Sequence, residues 1–181
     1  MMPEPGSPST PSTVSPLTLR CASAADVATV TRMHTASWRS AYRGILPDAY
    51  LDGNLEAERL QDWAYKLPAL VNGDGLALIA EIDGEPLGLA CAMNADADGS
   101  VLLDQLHVLP AAKGRGLGSA LIDAVENWAR ASDADSMHLL VLSQNAAAIG
   151  FYESRGWRRS GMVKAPLGGI IVAAFRYELT L

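Results

Sequence analysis

The first part of the chain combines one strand pattern with two helical patterns. Residues 17–20 alternate apolar and polar side chains, which predicts a short strand. Ser23 followed three residues later by Asp26 is typical of a helix start, and apolar residues continue beyond it at helical spacing. A second helical region is predicted over 48–67, with an interruption near Gly53.

The middle of the chain reads as consecutive strands joined by short turns. Apolar-rich segments at 76–83, 87–93 and 101–109 are separated by turn residues, including Gly84. Because such short connections can join only antiparallel neighbours, these segments predict a β-meander.

The last part alternates helices and strands. A helix is predicted over 119–130, a strand over 137–142, a helix over 145–154, and a terminal hairpin from strands 157–163 and 170–179. The strand–helix–strand crossover makes its second strand parallel to the last strand of the meander. The predicted fold class is therefore α/β, with a mixed, mostly antiparallel sheet that contains one parallel pair and is flanked by helices.

Composition narrows the class of protein. A length of 181 residues and a hydrophobic content of 49% predict one globular domain, which we assign to residues 17–181. Residues 1–16 hold five prolines among small polar residues, so we expect a disordered tail. A net charge of −6 argues against a nucleic-acid partner.

Cysteine usage and hydropathy exclude further classes. The two cysteines lack the spacing of a zinc site or a disulfide framework, so we expect no metal. No apolar run reaches the roughly 18 residues of a membrane span, and the N-terminus lacks the pattern of a signal peptide. We therefore expect a soluble cytoplasmic protein without a membrane partner.

Three alternate glycines stand between the last meander strand and the following helix. Gly114, Gly116 and Gly118 expose backbone N–H groups where a helix begins, which is typical of an anion site, although a flexible turn is the simpler alternative. A phosphate-binding Walker A loop is excluded because Gly118 is followed by Ser and Ala instead of Lys and a hydroxyl residue. The dinucleotide fingerprint is matched only approximately.

Two motifs in order resemble a known family. The run from Val108 to Gly118, VLPAAKGRGLG, resembles motif A of the GNAT superfamily of acyl-CoA N-acyltransferases, Arg/Gln-x-x-Gly-x-Gly/Ala after a strand. Lys113 stands where Arg or Gln is usual, which keeps the charge but not the planar guanidinium. Residues 143–157, SQNAAAIGFYESRGW, are similar to motif B, and residues 38–48, WRSAYRGILPD, resemble a region of a common bacterial branch.

The resemblance implies a fold and a co-substrate. It implies six to seven strands with about four helices, and a parallel pair of strands that splay apart. It also implies that acetyl-CoA binds with its pyrophosphate on the glycine loop and its pantetheine arm along the preceding strand, held by Asn145, which is equally suited to cap its helix. The implied cofactor-binding residues are Leu106, His107, Val108, Lys113, Gly114, Arg115, Gly116, Leu117, Gly118, Ser119 and Asn145.

Two residues are candidates for the chemistry. The resemblance implies that Tyr152 protonates the departing thiolate, whereas its position on a helix also suits a core aromatic residue. Asp104 is a candidate general base, because a period of two puts it on the same strand face as Leu106 and Val108. Substrate binding or a pairing with arginine is the alternative for Asp104. The side chain of His107 has the opposite parity, and Glu81 is a weaker candidate base.

The expected activity is transfer of an acetyl group from acetyl-CoA to a primary amine of a small molecule or a protein N-terminus. The resemblance implies that His34, Trp38 and Tyr42 bind the acceptor substrate. Trp38 and Tyr42 share one helix face, however, which could equally pack into the hydrophobic core. A non-catalytic acyl-CoA-binding or sensing protein is the alternative, and an ordinary nucleotide-binding enzyme is a third. A homodimer is possible by family resemblance.

Overall fold

The structure, a computed structural model, describes residues 16–181. The predicted tail therefore lies outside the described residues, apart from Pro16. No helix within the described part combines the length and apolar character that crossing a bilayer would require.

Within the described residues, seven strands form one sheet. They are β1 Leu17–Cys21, β2 Gly75–Ile82, β3 Glu85–Met93, β4 Ser100–Val108, β5 Ser136–Leu142, β6 Arg158–Leu167 and β7 Ile170–Thr180. Their spatial order is β1-β2-β3-β4-β5-β7-β6, and β4 and β5 are the parallel pair within an otherwise antiparallel sheet. The predicted meander, crossover and terminal hairpin are confirmed.

The helices are α1 Val27–Ala41, α2 Asp48–Leu51, α3 Leu55–Ala69, α4 Leu117–Ala131 and α5 Ala146–Ser154. A 3₁₀ turn at Ala24–Asp26 precedes α1, and the Asp26 carboxylate accepts a hydrogen bond of 2.8 Å from the Ser23 backbone N–H. The predicted helix start is confirmed by this bond. The predicted interruption near Gly53 is the break between α2 and α3.

Helices cover both faces of the sheet. Leu121 and Ile122 of α4 pack on one face with Val101 and Met137 of the sheet, in a cluster that extends to Tyr152. On the other face, α1 and α3 pack against β2 and β3. This second cluster contains Met33, Trp63 and Leu67 from the helices and Ile79, Leu89 and Cys91 from the strands. Burial on both faces agrees with the continuous apolar runs of the central strands.

The strand β6 extends farther than its predicted end at residue 163. It continues to Leu167, and Pro166 lies opposite Ile171 of β7. Because β6 is the edge strand, proline's missing N–H costs no sheet hydrogen bond on the open side. Gly168 and Gly169 then close the hairpin with positive φ angles of 60° and 80°.

Candidate functional site

A cleft of about 760 Å³ opens where the parallel strands separate. The strands β4 and β5 pair only from Ser100 to Leu102 with Ser136 to His138, although β4 runs on to Val108. The cleft is lined by the carboxyl ends of both strands, the glycine loop, α5, α1 and the β6–β7 hairpin. The predicted splaying of the parallel pair is confirmed.

The glycine loop turns the N-terminus of α4 toward this cleft. Gly114 and Gly116 have φ angles of 77° and 84°, a region where residues with a Cβ atom are strained. A Cβ atom added to either residue would meet no atom within 4 Å, so both border open space. The loop therefore has the backbone shape and the room that an anion requires.

The first turn of α4 supplies the hydrogen-bond donors. The first intrahelical bond runs from the Ala120 N–H to the Gly116 carbonyl at 3.0 Å, so the N–H groups of the three preceding helical residues have no partner in the helix. The helix dipole adds positive potential there. All of the predicted loop residues line the cleft except Arg115; those lining it are Lys113, Gly114, Gly116, Leu117, Gly118 and Ser119.

The helix α5 brings two predicted residues into the same cleft. The Asn145 side chain accepts a hydrogen bond of 3.2 Å from the Ala148 N–H, so the capping role is confirmed, and Asn145 also lines the cleft. Tyr152 lines the cleft while only 8% of its surface is exposed. Burial raises the pKa of Tyr152 above its usual value, and the nearby Tyr42 raises it further, so the phenol keeps its proton at neutral pH.

A β-bulge in β4 decides which way Asp104 faces. Cys91 of β3 lies opposite Gln105, whereas the next residue, Ala92, lies opposite Leu103. Asp104 is therefore the extra residue of the bulge, and the side-chain alternation shifts there.

Because of the bulge, the prediction that Asp104 shares a strand face with Leu106 and Val108 is wrong. Leu106 and Val108 pack with the cluster on the α4 face, whereas Asp104 contacts Lys66 of α3 on the opposite face. The Asp104 side chain thus lies on the same face of the sheet as His107, whereas strict alternation predicted opposite faces for these two residues. The period of two fails here because it assumes a strand without a bulge.

Asp104 forms an ion pair, but its partner is Lys66 and not the arginine of the sequence-based alternative. Its Oδ2 atom lies 2.5 Å from Lys66 Nζ, 3.4 Å from Gln105 Nε2 and 3.7 Å from Cys91 Sγ. The carboxylate remains partly accessible, with 24% of its side chain exposed, and it lines the cleft. Lys66 belongs to α3, 38 positions before Asp104 in the chain, so no local sequence pattern could identify it as the partner.

His107 forms the centre of a polar network on this face. Its Nδ1 atom lies 3.1 Å from Ser37 Oγ, and its Nε2 atom lies 2.7 Å from Gln105 Oε1. The two contacts fit a neutral ring that accepts from Ser37 and donates to Gln105. Burial lowers the pKa of His107 to about 4, so the ring is neutral at pH 7.

His34 lies behind His107 and outside the cleft. Its ring stacks on His107 with centroids 4.5 Å apart, and its Nδ1 atom accepts a hydrogen bond of 3.0 Å from Trp63 Nε1. Only 3% of its surface is exposed, and burial lowers the pKa of its imidazole well below the ordinary value. The prediction that His34 contacts an acceptor is corrected: it supports the wall of the cleft from behind.

The other two predicted acceptor residues do line the cleft. Trp38 and Tyr42 are one helical turn apart on α1, and their ring centroids are 5.0 Å apart. Opposite them stand residues of the β6–β7 hairpin and the end of β5, which sequence reasoning missed because they are ordinary apolar strand residues; they include Leu142, Val163, Ala165, Pro166, Leu167 and Val172. Glu81 pairs with Arg20 at 2.7 Å and is not among the residues that line the cleft.

Comparisons with known proteins agree with this geometry. Residues 33–157 match the model of the acetyltransferase (GNAT) family. A probable N-acetyltransferase of Mycobacterium tuberculosis is 27% identical over 164 residues, which cover 89% of this chain and 92% of that protein.

Solved structures show the same fold. The PaiA N-acetyltransferase of Thermoplasma acidophilum, solved with coenzyme A, has a TM-score of 0.78 and 20% identity, with 92% of this chain and 99% of that chain covered. YncA of Salmonella typhimurium, solved with acetyl-CoA, has a TM-score of 0.68 and 25% identity, with 91% and 93% covered. Since the family model spans well over half of its length, the chain belongs to the acetyltransferase (GNAT) family.

Proposed function

We propose that this protein transfers an acetyl group from acetyl-CoA directly to a primary amine of a small molecule or a protein N-terminus. One observation carries the proposal: the unpaired N–H groups of α4, the gap between β4 and β5, and Tyr152 all border one continuous cleft. Membership of the family supports acyl transfer, and the relatives solved with coenzyme A or acetyl-CoA support the co-substrate.

The residues present fit a CoA thioester. The N–H groups of the glycine loop from Gly114 to Ser119 and the Lys113 ammonium suit a pyrophosphate. Arg115, which is exposed beside the loop and does not line the cleft, remains a proposed contact. Beyond Leu102, β4 has no strand partner on the β5 side within the described chain, so an extended pantetheine arm can pair with Leu106, His107 and Val108. Asn145 would hold the same arm.

The proposed chemistry moves three protons. The bound thioester would supply an activated acetyl carbon, at which the N–C bond forms as the C–S bond breaks. Asp104 takes the proton that the ammonium must lose before attack, directly or through water, and the Tyr152 hydroxyl donates a proton to the departing sulfur. The second proton, which the acceptor nitrogen loses as the amide forms, returns through water to the Tyr152 oxygen, and Asp104 releases its proton to solvent. Cys91 is an unsuitable nucleophile because burial raises the pKa of its thiol and keeps it neutral, which supports direct transfer.

The proposal is tested by incubating the protein with acetyl-CoA and a panel of amines while free thiol is measured. We expect thiol release that depends on the amine, together with CoA binding in calorimetry. CoA binding without acceptor-dependent release would favour the non-catalytic acyl-CoA-binding alternative. Protection from thermal unfolding by ATP or NAD, and not by CoA, would favour the nucleotide-binding alternative.

We also propose three properties of the protein as a whole. They are a single acetyltransferase domain over residues 17–181, a cytoplasmic location and a homodimer. Exposed apolar residues on the terminal hairpin, Met162 and Ile171, support self-association. Light scattering on the purified protein tests the dimer, limited proteolysis tests the domain limits, and cell fractionation tests the location.

A further inference from the structure

We propose that the acceptor is a small primary amine with one positive charge on an apolar body, which rests on the acetyl-transfer function proposed above. Polyamines and aminoglycosides, which carry several ammonium groups, are expected to be poor acceptors. The proposal concerns the end of the cleft away from the glycine loop, between α1 and the β6–β7 hairpin, which we call the acceptor end.

The walls of the acceptor end are apolar. Trp38 of α1, Leu142 of β5 and Val172 of β7 pack in one largely buried apolar cluster, and all three line this part of the cleft together with Pro166 of the hairpin. Two rim residues that line the cleft are unusually exposed for their type, with Leu140 at 54% and Val163 at 39%. Apolar surface of this kind at the mouth of a cleft is stabilised when an apolar ligand covers it.

The charges in the cleft suit one ammonium group. Asp104 is the one carboxylate among the described residues that line the cleft, and Lys66 already lies 2.5 Å from it. A second ammonium on the same acceptor would have to lie against the apolar walls, where loss of hydration is costly. Lys113 is at the opposite end, in the glycine loop, and His107 is neutral. The Arg59 guanidinium lies 4.8 Å from the centre of the Trp38 ring, and its charge would repel a second ammonium group at the acceptor end.

A matched pair of amines tests the charge preference. Hexylamine and 1,6-diaminohexane have the same carbon chain and differ by the second ammonium group. With acetyl-CoA at saturation, we expect kcat/KM for hexylamine to exceed that for the diamine by about tenfold or more, because the second charge must lose its water.

A designed carboxylate tests whether the hairpin wall sets this preference. Ala165 is exposed on β6 and lines the cleft, so Ala165→Asp adds a carboxylate to the acceptor end without disturbing the core. We expect this variant to reduce the preference for hexylamine at least threefold, roughly the effect of one exposed ion pair. Met162→Asp is the matched control, since Met162 lies on the same strand, is exposed and is not among the cleft-lining residues.

The outcomes separate the two proposals. If both amines release thiol and the diamine is the better substrate, or if Ala165→Asp and Met162→Asp change the preference equally, the inference is overturned while acetyl transfer stands. Acetylation that requires a peptide, with no reaction of either small amine, also overturns it. Absence of thiol release with every amine and peptide would instead overturn the proposed function itself.

Discussion

The two ends of the cleft are built in different ways. The glycine-loop end comes from consecutive residues, 113–119, and presents backbone N–H groups at one helix N-terminus. The acceptor end comes from α1, β5, β6 and β7, and presents apolar side chains such as Trp38 and Val172. One end therefore presents backbone donors, which suit the pyrophosphate that all CoA thioesters share, and the other presents side chains.

Because of this difference, we expect amino-acid substitutions to change different properties at the two ends of the cleft. If the proposed function holds, a side-chain substitution at the acceptor end should alter the preference for an amine and leave CoA binding unchanged. At the glycine loop, the backbone angles matter more than side-chain chemistry, because the donors are N–H groups. Tyr152 and Asp104 line the same cleft and are proposed to transfer protons, so their substitution should affect turnover more than either binding step.

The largest expected effect is that of Tyr152→Phe. We expect kcat to fall by about two to three powers of ten, because the proton for the sulfur is lost, while calorimetry shows unchanged CoA affinity. Tyr65→Phe, at a strongly exposed tyrosine, is the control and should keep wild-type turnover. An unchanged kcat for Tyr152→Phe would remove this residue from the acid role.

The next effect is that of Asp104→Asn. Loss of the proton acceptor should lower kcat/KM by about a hundredfold and flatten the acidic limb of its pH profile. Glu81→Gln is the matched control: it removes a carboxylate paired with Arg20 outside the cleft lining, and it should retain the wild-type profile. A wild-type pH profile in Asp104→Asn would contradict the base assignment.

The two stacked histidines, His107 in the cleft lining and His34 behind it, should make stability depend on pH. The folded state keeps His34 and His107 neutral, with the pKa of His107 lowered to about 4, whereas the unfolded chain binds protons near pH 6.5. Stability is therefore fully present above pH 6.5 and falls as the pH decreases, by up to about 1.4 kcal/mol per pH unit for each histidine. Urea unfolding between pH 7 and pH 5 measures this slope.

A variant identifies the source of that slope. His107→Gln removes one of the two buried imidazoles but can still form hydrogen bonds with Ser37 and Gln105. We expect a shallower dependence of stability on pH than in the wild type. The same slope in both proteins would mean that His107 does not cause the effect.

The smallest expected effect concerns the glycine loop. Gly116→Ala adds about 1–2 kcal/mol of strain at a φ of 84°, which should weaken CoA binding about tenfold by turning the N–H groups away. Gly84→Ala is a matched control, since Gly84 also has a positive φ and open space around it but lies in the β2–β3 turn. Equal CoA affinities in the two variants would contradict a role for the backbone angle.

Several features of the protein follow from the sequence by itself. The strand meander, the break near Gly53, the helix start at Asp26 and the cap at Asn145 are local, because turn and capping residues act within a few positions of themselves. The glycine loop belongs with them, since a strand, a loop and a helix N-terminus follow one another directly in the chain.

Only the tertiary structure decided the rest. The bulge at Asp104 reverses the face that alternation predicts, and the Lys66 partner, the buried position of His34 and the hairpin wall opposite Trp38 depend on segments far apart in the chain. The physical reason is that these contacts arise from packing between elements, whereas hydrophobic periodicity reports only whether a position is buried within its own element.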